Sequence, residues 1–188
     1  METDTAALVE QIRALILSDS AAELIDLVDD LHPADIVDIL ESLDYSEREA
    51  FFRVMPVDKA GEILGELEFE DQTEVLQSLG LSRSSQVIRE MYSDDAADLI
   101  GDLPAEHRDS ILNAMSAEGE DVRGLLRYDE DSSGGIMATE YVAVRSEWTV
   151  DQALSHLRSS GPDVHAAYYL YVVDTSLHLV GVVSLREL

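Results

Sequence analysis

The chain has 188 residues, with 40 acids against 12 basic residues and a formal net charge of −28. That balance makes nucleic acid and anionic membrane surface poor partners, because both are bound through basic patches, and it makes cations the natural counter-ligand. There is no cysteine, which excludes disulfides, thiolate metal sites and cysteine nucleophiles.

The length fits one large domain or two small ones, and a hydrophobic content of 46% supports a packed core. The N-terminus, Met1-Glu2-Thr3-Asp4, lacks the basic start of a signal peptide. No apolar run approaches the ~18 residues needed to span a bilayer. The expectation is a soluble chain of a reducing compartment. Lys59 is the sole lysine beside a set of arginines, a weak pointer to a high-salt habitat.

From Leu27 the sequence repeats. Leu27-Val28 with Leu31 is followed twelve positions on by Ile39-Leu40 with Leu43, then by Phe51-Phe52 with Met55. The same apolar triplet returns at Ile63, Val75, Val87, Leu99 and Ile111. It fails at Asp19 on one side and at Arg123, Gly124 and Arg127 on the other. Apolar residues at i, i+1 and i+4 form one face of a helix. A period of twelve allows two to three turns and a tight corner. Pro33, Pro56 and Pro104 fall just after a rung ends, where a new helix takes proline in its first turn. Helices this short are unstable alone and must stack. Residues 1–127 therefore read as a superhelical solenoid of short helices, with pairs of helices giving a repeat of 24 and the hand left open.

The polar face repeats as well. Asp94, Asp98 and Asp102 are spaced by four, which makes a carboxylate stripe along one helix, and Asp58, Glu62 and Glu66 repeat it. Like charges at i, i+4 destabilise a helix by a few tenths of a kcal/mol per pair. Two readings stand: a solvated outer face, or a site for a divalent cation on hard oxygens. Mg²⁺ suits one or two carboxylates holding a largely hydrated ion. No EF-hand spacing is present.

Residues 128–140 read as a hinge. Asp129, Glu130 and Asp131 stand against two serines and Gly134-Gly135, a composition that cannot hold a regular element. After it the period changes. Tyr141–Val144 predicts a strand, Thr149 an N-cap, and Val150, Ala153, Leu154 and Leu157 a helix face. Ser159-Ser160-Gly161-Pro162 predicts a turn, Tyr168–Val173 a strand, Asp174-Thr175-Ser176 a turn and Leu179–Val183 a further strand. Ser184 is placed to cap a helix that has barely begun at Leu188. Residues 141–188 thus read as the first part of a truncated α+β domain.

Catalytic patterns are missing. His32, His107, His156, His165 and His178 are scattered without paired-ligand spacing, and His32 before Pro33 reads as structural. The glycine pair is not followed by Lys-Ser/Thr, and there is no nucleophile elbow. The chain is not expected to be an enzyme.

Several segments resemble one family. Leu125–Val144, with R-Y-x-E-D-S-x-G-G-I-M-x-T-E-Y-V-A-V, resembles the junction of MgtE-type magnesium transporters, as do His32-Pro33-Ala34-Asp35 and Ser93–Asp98. Tyr168–Asp174 with Gly181–Arg186 resembles that family's first CBS domain. The resemblance implies a cytosolic helical domain, a CBS pair and a homodimeric membrane pore, the last two lying largely beyond this chain. It implies that Mg²⁺ bound between the acidic domain and the CBS domains closes the pore, with Asp94, Asp98 and the Gly135 carbonyl as ligands. It also implies ATP as a second ligand, contacted by Tyr169, Arg186 and Glu187, with Glu187 standing where Asp is usual at the ribose. Partners are then Mg²⁺ and the protein's own CBS and transmembrane domains, at the cytoplasmic face of the cell membrane. The competing reading is an acidic helical scaffold for a protein partner, with a CBS nucleotide sensor attached.

Overall fold

The computed structural model describes residues 2–18, 20–115, 119–129, 131–159 and 168–188. The expected Ser160-Gly161-Pro162 turn, Glu130 of the acidic triplet and His165 lie outside those residues. The chain divides into two compact units, Met1–Met137 and Ala138–Leu188.

The first unit is built of helices α1 (Glu2–Leu17), α2 (Ala21–Asp29), α3 (Pro33–Leu40), α4 (Tyr45–Val54), α5 (Val57–Gly65), α6 (Phe69–Arg89), α7 (Ser93–Asp102), α8 (Ala105–Ala114) and α9 (Gly119–Leu125). Every residue of the twelve-residue ladder lies in its core or packs against it. Phe51 and Phe52 stack edge to face at 5.5 Å, both fully buried. The corners carry their own chemistry. His32 Nδ1 accepts from the Ala34 amide at the start of α3, so this histidine is a cap. At α4, Asp44 and Glu47 form a reciprocal capping box, and Pro56 and Pro104 immediately precede α5 and α8.

Two features lie outside the ladder's pattern. α1 falls within the expected helical region but precedes the ladder and buries Val9 and Ile12 without sharing its spacing. α6 is two helical segments meeting at a corner at Gly80, where φ is 72° and ψ 163°. Residues with a Cβ avoid that conformation, so glycine makes this corner. On either side of the break the two halves present Val75-Leu76 and Val87-Ile88 to the core.

The second unit contains β1 (Ala143–Arg145), α10 (Val150–Ser159), β2 (Tyr169–Val173) and β3 (Leu179–Ser184). The sheet order is β1-β2-β3, with β1 parallel to β2 and β2 antiparallel to β3. Parallel pairing of β1 and β2 needs a crossover, which α10 supplies. Thr149 and Gln152 form a reciprocal box at its start. Val142, Val144, Ala153 and Leu170 form the small core, with Trp148, Leu157 and Val183 packed on it. The β2–β3 turn is tied by Asp174, whose Oδ1 accepts from the Ser176 and His178 amides at 2.8 and 2.9 Å. Those amide bonds, that of His178 foremost, hold the Asp174 carboxyl below its ordinary pKa. No helix among the described residues is long and apolar enough to cross a membrane.

Candidate functional site

α7 is a short amphipathic helix. Ala96, Ala97, Leu99 and Ile100 are buried against the core, and Asp94, Asp98 and Asp102 follow one another along its opposite side. Asp98 is raised above the ordinary carboxylate pKa, first by partial burial and then by the charges of Asp94 and Asp102. Asp94 is half-buried, and its Oδ1 is fully shielded from solvent without a hydrogen-bond donor. An acceptor in that position is costly unless something electropositive reaches it. This carboxylate pair is therefore an under-neutralised, hard-oxygen surface, and it fits a hydrated divalent cation better than a dehydrated one. A dehydrated Mg²⁺ needs convergent oxygens at about 2.1 Å. Among the described residues no three acidic or histidine side chains converge in that way.

Gly135, the third expected metal ligand, lies in a turn after α9. Its amide donates to the Ser132 carbonyl and hydroxyl at 3.0 and 3.2 Å. Among the described residues no hydrogen bond joins it to Asp94 or Asp98.

The related stripe on α5 sits in different company. Lys59 Nζ reaches Glu62 Oε2 at 3.7 Å. Asp58, Lys59 and Glu62 line a hollow of about 170 Å³ with Ile25, Asp29 and Pro56. Lys59 was not singled out as a site residue by sequence reasoning, although its place between two acids of the stripe was a readable signal.

In the second unit, Tyr169 and Ser184 pair across β2 and β3, and the Leu185 amide donates to the Tyr168 carbonyl at 2.9 Å. This brings Tyr169, Arg186 and Glu187 to one end of the hairpin. Tyr169 is 59% exposed and Arg186 is exposed, so an aromatic face and a cation are available to a nucleotide. Glu187 is differently placed. Its Oε2 accepts from Ser184 Oγ at 2.7 Å and from the Ser184 amide at 3.2 Å. Those bonds, the hydroxyl's first, lower its pKa. Tyr169 and Arg186 fit ATP in chemistry, whereas one oxygen of Glu187 is already committed to closing the chain's last turn.

Comparison with known proteins decides the family. Residues 31–131 match the family described as the MgtE intracellular N domain. The chain belongs to the MgtE family. Residues 133–188 match the CBS domain family. Over 182 residues, 96% of the chain, it is 31% identical to the magnesium transporter MgtE of Bacillus subtilis and spans 40% of that protein's length. Over 68 residues it is 52% identical to the MgtE of Thermus thermophilus, covering 36% of this chain and 15% of that one. Its fold superposes on the soluble part of a magnesium transporter with a TM-score of 0.90 at 26% identity, covering 97% of this chain and 72% of that one. It also superposes on the cytosolic domain of the Mg²⁺ channel MgtE in complex with ATP, with a TM-score of 0.81 at 32% identity, covering 95% and 73% respectively. The expected architecture, a mainly helical solenoid followed by an α+β CBS domain, is the one observed.

Proposed function

We propose that this chain is the cytosolic Mg²⁺-sensing regulatory region of a magnesium transporter or channel. In that reading Mg²⁺ on the acidic helical domain favours its association with the CBS domains and the closed pore. The full-length protein is a homodimer of the cell membrane, with this region on the cytoplasmic face. The observation that carries the reading is α7: a raised Asp98 beside an Asp94 oxygen that is buried without a donor. Such a surface stores repulsion that a divalent ion relieves. A ligand shifts a conformational equilibrium only by its differential affinity for the two states, and relief of repulsion between acidic surfaces supplies one. ATP is the second ligand proposed, with Tyr169 and Arg186 as its contacts and Glu187 available through its uncommitted oxygen.

Small-angle scattering through a Mg²⁺ titration at fixed ionic strength, with Na⁺ as the screening control, tests this. The expected result is a fall in the radius of gyration specific to the divalent ion and lost in Asp94→Asn/Asp98→Asn. A curve that follows ionic strength alone removes the sensing role and favours the acidic scaffold.

A further inference from the structure

The glycine pair at 134–135 suggests a place chosen for backbone freedom, and the structure gives it a different purpose. Among the described residues the only positive-φ glycine is Gly80, so neither Gly134 nor Gly135 uses the conformations that glycine alone adopts. The turn around them is closely bonded. The Ser132 amide donates to the Asp129 carbonyl at 2.9 Å, and the Gly135 and Ile136 amides donate to the Ser132 carbonyl at 3.0 and 3.1 Å. Ser132 Oγ accepts from the Gly135 amide as well.

Above this turn lies a ring. A Cβ placed on Gly134 would come within 2.9 Å of Tyr128 Cε1 and closer still to its Cγ and Cδ1. Those atoms are at the base and flank of the ring, so relief requires the whole side chain to swing away. Tyr128 is itself anchored, its amide donating at 2.9 Å to the carbonyl of Leu125, a core residue of α9. Bonds and contacts therefore tie Ile136 back to the helical core. Ile136, Met137 and Ala138 are all exposed, but the backbone bonds of the turn end at Ile136. Among the described residues neither the Met137 nor the Ala138 amide donates a hydrogen bond, and the boundary between the two compact units falls between them.

We infer that Gly134 is present to seat the Tyr128 ring, that the Ser132 turn is a fixed end-piece of the helical unit, and that the joint between the units lies at Met137-Ala138. The inference holds whether or not the Mg²⁺ reading does.

Hydrogen exchange on the whole chain tests it. The Gly135 and Ile136 amides are expected to exchange at least about tenfold more slowly than that of Ala138. Gly134→Ala removes that protection, and Tyr128→Ala added to it restores the slow exchange, because the second change returns the missing space. Tyr128→Ala alone leaves protection within about threefold, which separates the seat from a general loss of folding. Equal exchange at Gly135, Ile136 and Ala138 would overturn the inference. So would a Gly134→Ala chain that keeps full protection, or a double variant that stays fast, since the latter makes Gly134 a conformational need and not a spatial one.

Discussion

Set 36 residues apart, α5 and α7 match position by position: Asp58 with Asp94, Ala60 with Ala96, Glu62 with Asp98, Gly65 with Gly101 and Glu66 with Asp102. They differ in character at three places, the first being Val57 where α7 has Ser93. α5 has Lys59 where α7 has Asp95, and Gly61 where α7 has Ala97. In α5 a tethered ammonium stands 3.7 Å from Glu62. In α7 the same stripe has Asp98 pushed up and an Asp94 oxygen without a donor. Equal spacing therefore leaves the two stripes in different electrostatic settings. What separates them is the local counter-charge.

The sharpest way to break the match is Gly61→Ala. A Cβ there meets the Glu90 carbonyl carbon and Cβ at 2.8 Å and the Val87 carbonyl oxygen at 2.9 Å. Backbone does not yield as a side chain does, so overpacking costs about 1–3 kcal/mol, or roughly 3–10 °C in a chain of this size. The reciprocal Ala97→Gly costs only about 0.5–1 kcal/mol. Thermal unfolding followed by circular dichroism ranks the two, and equal losses would mean that α5 is free to move off α6.

The second test uses Mg²⁺ itself. At ten times its dissociation constant a bound ion stabilises the folded state by about 1.4 kcal/mol, a rise of roughly 3–5 °C in melting temperature. Asp94→Asn/Asp98→Asn is expected to abolish that rise and Asp58→Asn/Glu62→Gln to leave it. The opposite ranking would transfer the site to α5.

A smaller effect is expected without divalent ions. Asp98 holds its proton more tightly in the folded chain than in the unfolded one. Stability therefore falls as pH rises from the ordinary value of 3.8 through the raised folded value. Above that window the penalty is fully present, and below 3.8 it vanishes. Asp98→Asn removes two like-charge pairs and gains about 0.5 kcal/mol at pH 7, roughly 1–2 °C. A melting curve through pH locates the gain, and a gain confined to acid pH contradicts the assignment.

Lys59→Met is the mildest of the set. The loss is a few tenths of a kcal/mol at low salt, screened away at high salt. Its use is diagnostic: with the tethered cation gone, α5 should acquire part of the Mg²⁺-dependent melting shift of α7.

Much of the first unit was readable because its core repeats. Each rung carries the i, i+1, i+4 triplet, and α3, α5 and α8 begin at the predicted corners, with Pro33 in the first turn as expected and Pro56 and Pro104 one residue ahead of it as N-caps. The core positions of α1 were not legible, because Val9 and Ile12 pack on the ladder without sharing its period. Gly80 is hard to read as a corner because an isolated glycine within a helical pattern is tolerated and marks no turn by itself, although it stands between two rungs with no proline nearby. At the site, the stripes were visible as spacing. The buried oxygen of Asp94 was not, because burial depends on which helices close over it. The Ser184-x-x-Glu187 closure was latent in the sequence as a capping pattern, overshadowed by the resemblance that gave Glu187 to a nucleotide.

The break at Gly80 also governs where this chain tolerates a change of length. Twelve residues make about 3.3 helical turns, so in an unbroken α6 the Val75 and Val87 rungs would point roughly 120° apart. The bend resets the phase and turns both toward one core. Each corner of the ladder performs the same reset, so one residue added at a corner is absorbed there. One residue added inside a helix rotates every later side chain of that helix by about 100°, carrying its apolar face into water. The corners are thus the positions where insertions and deletions leave the solenoid intact.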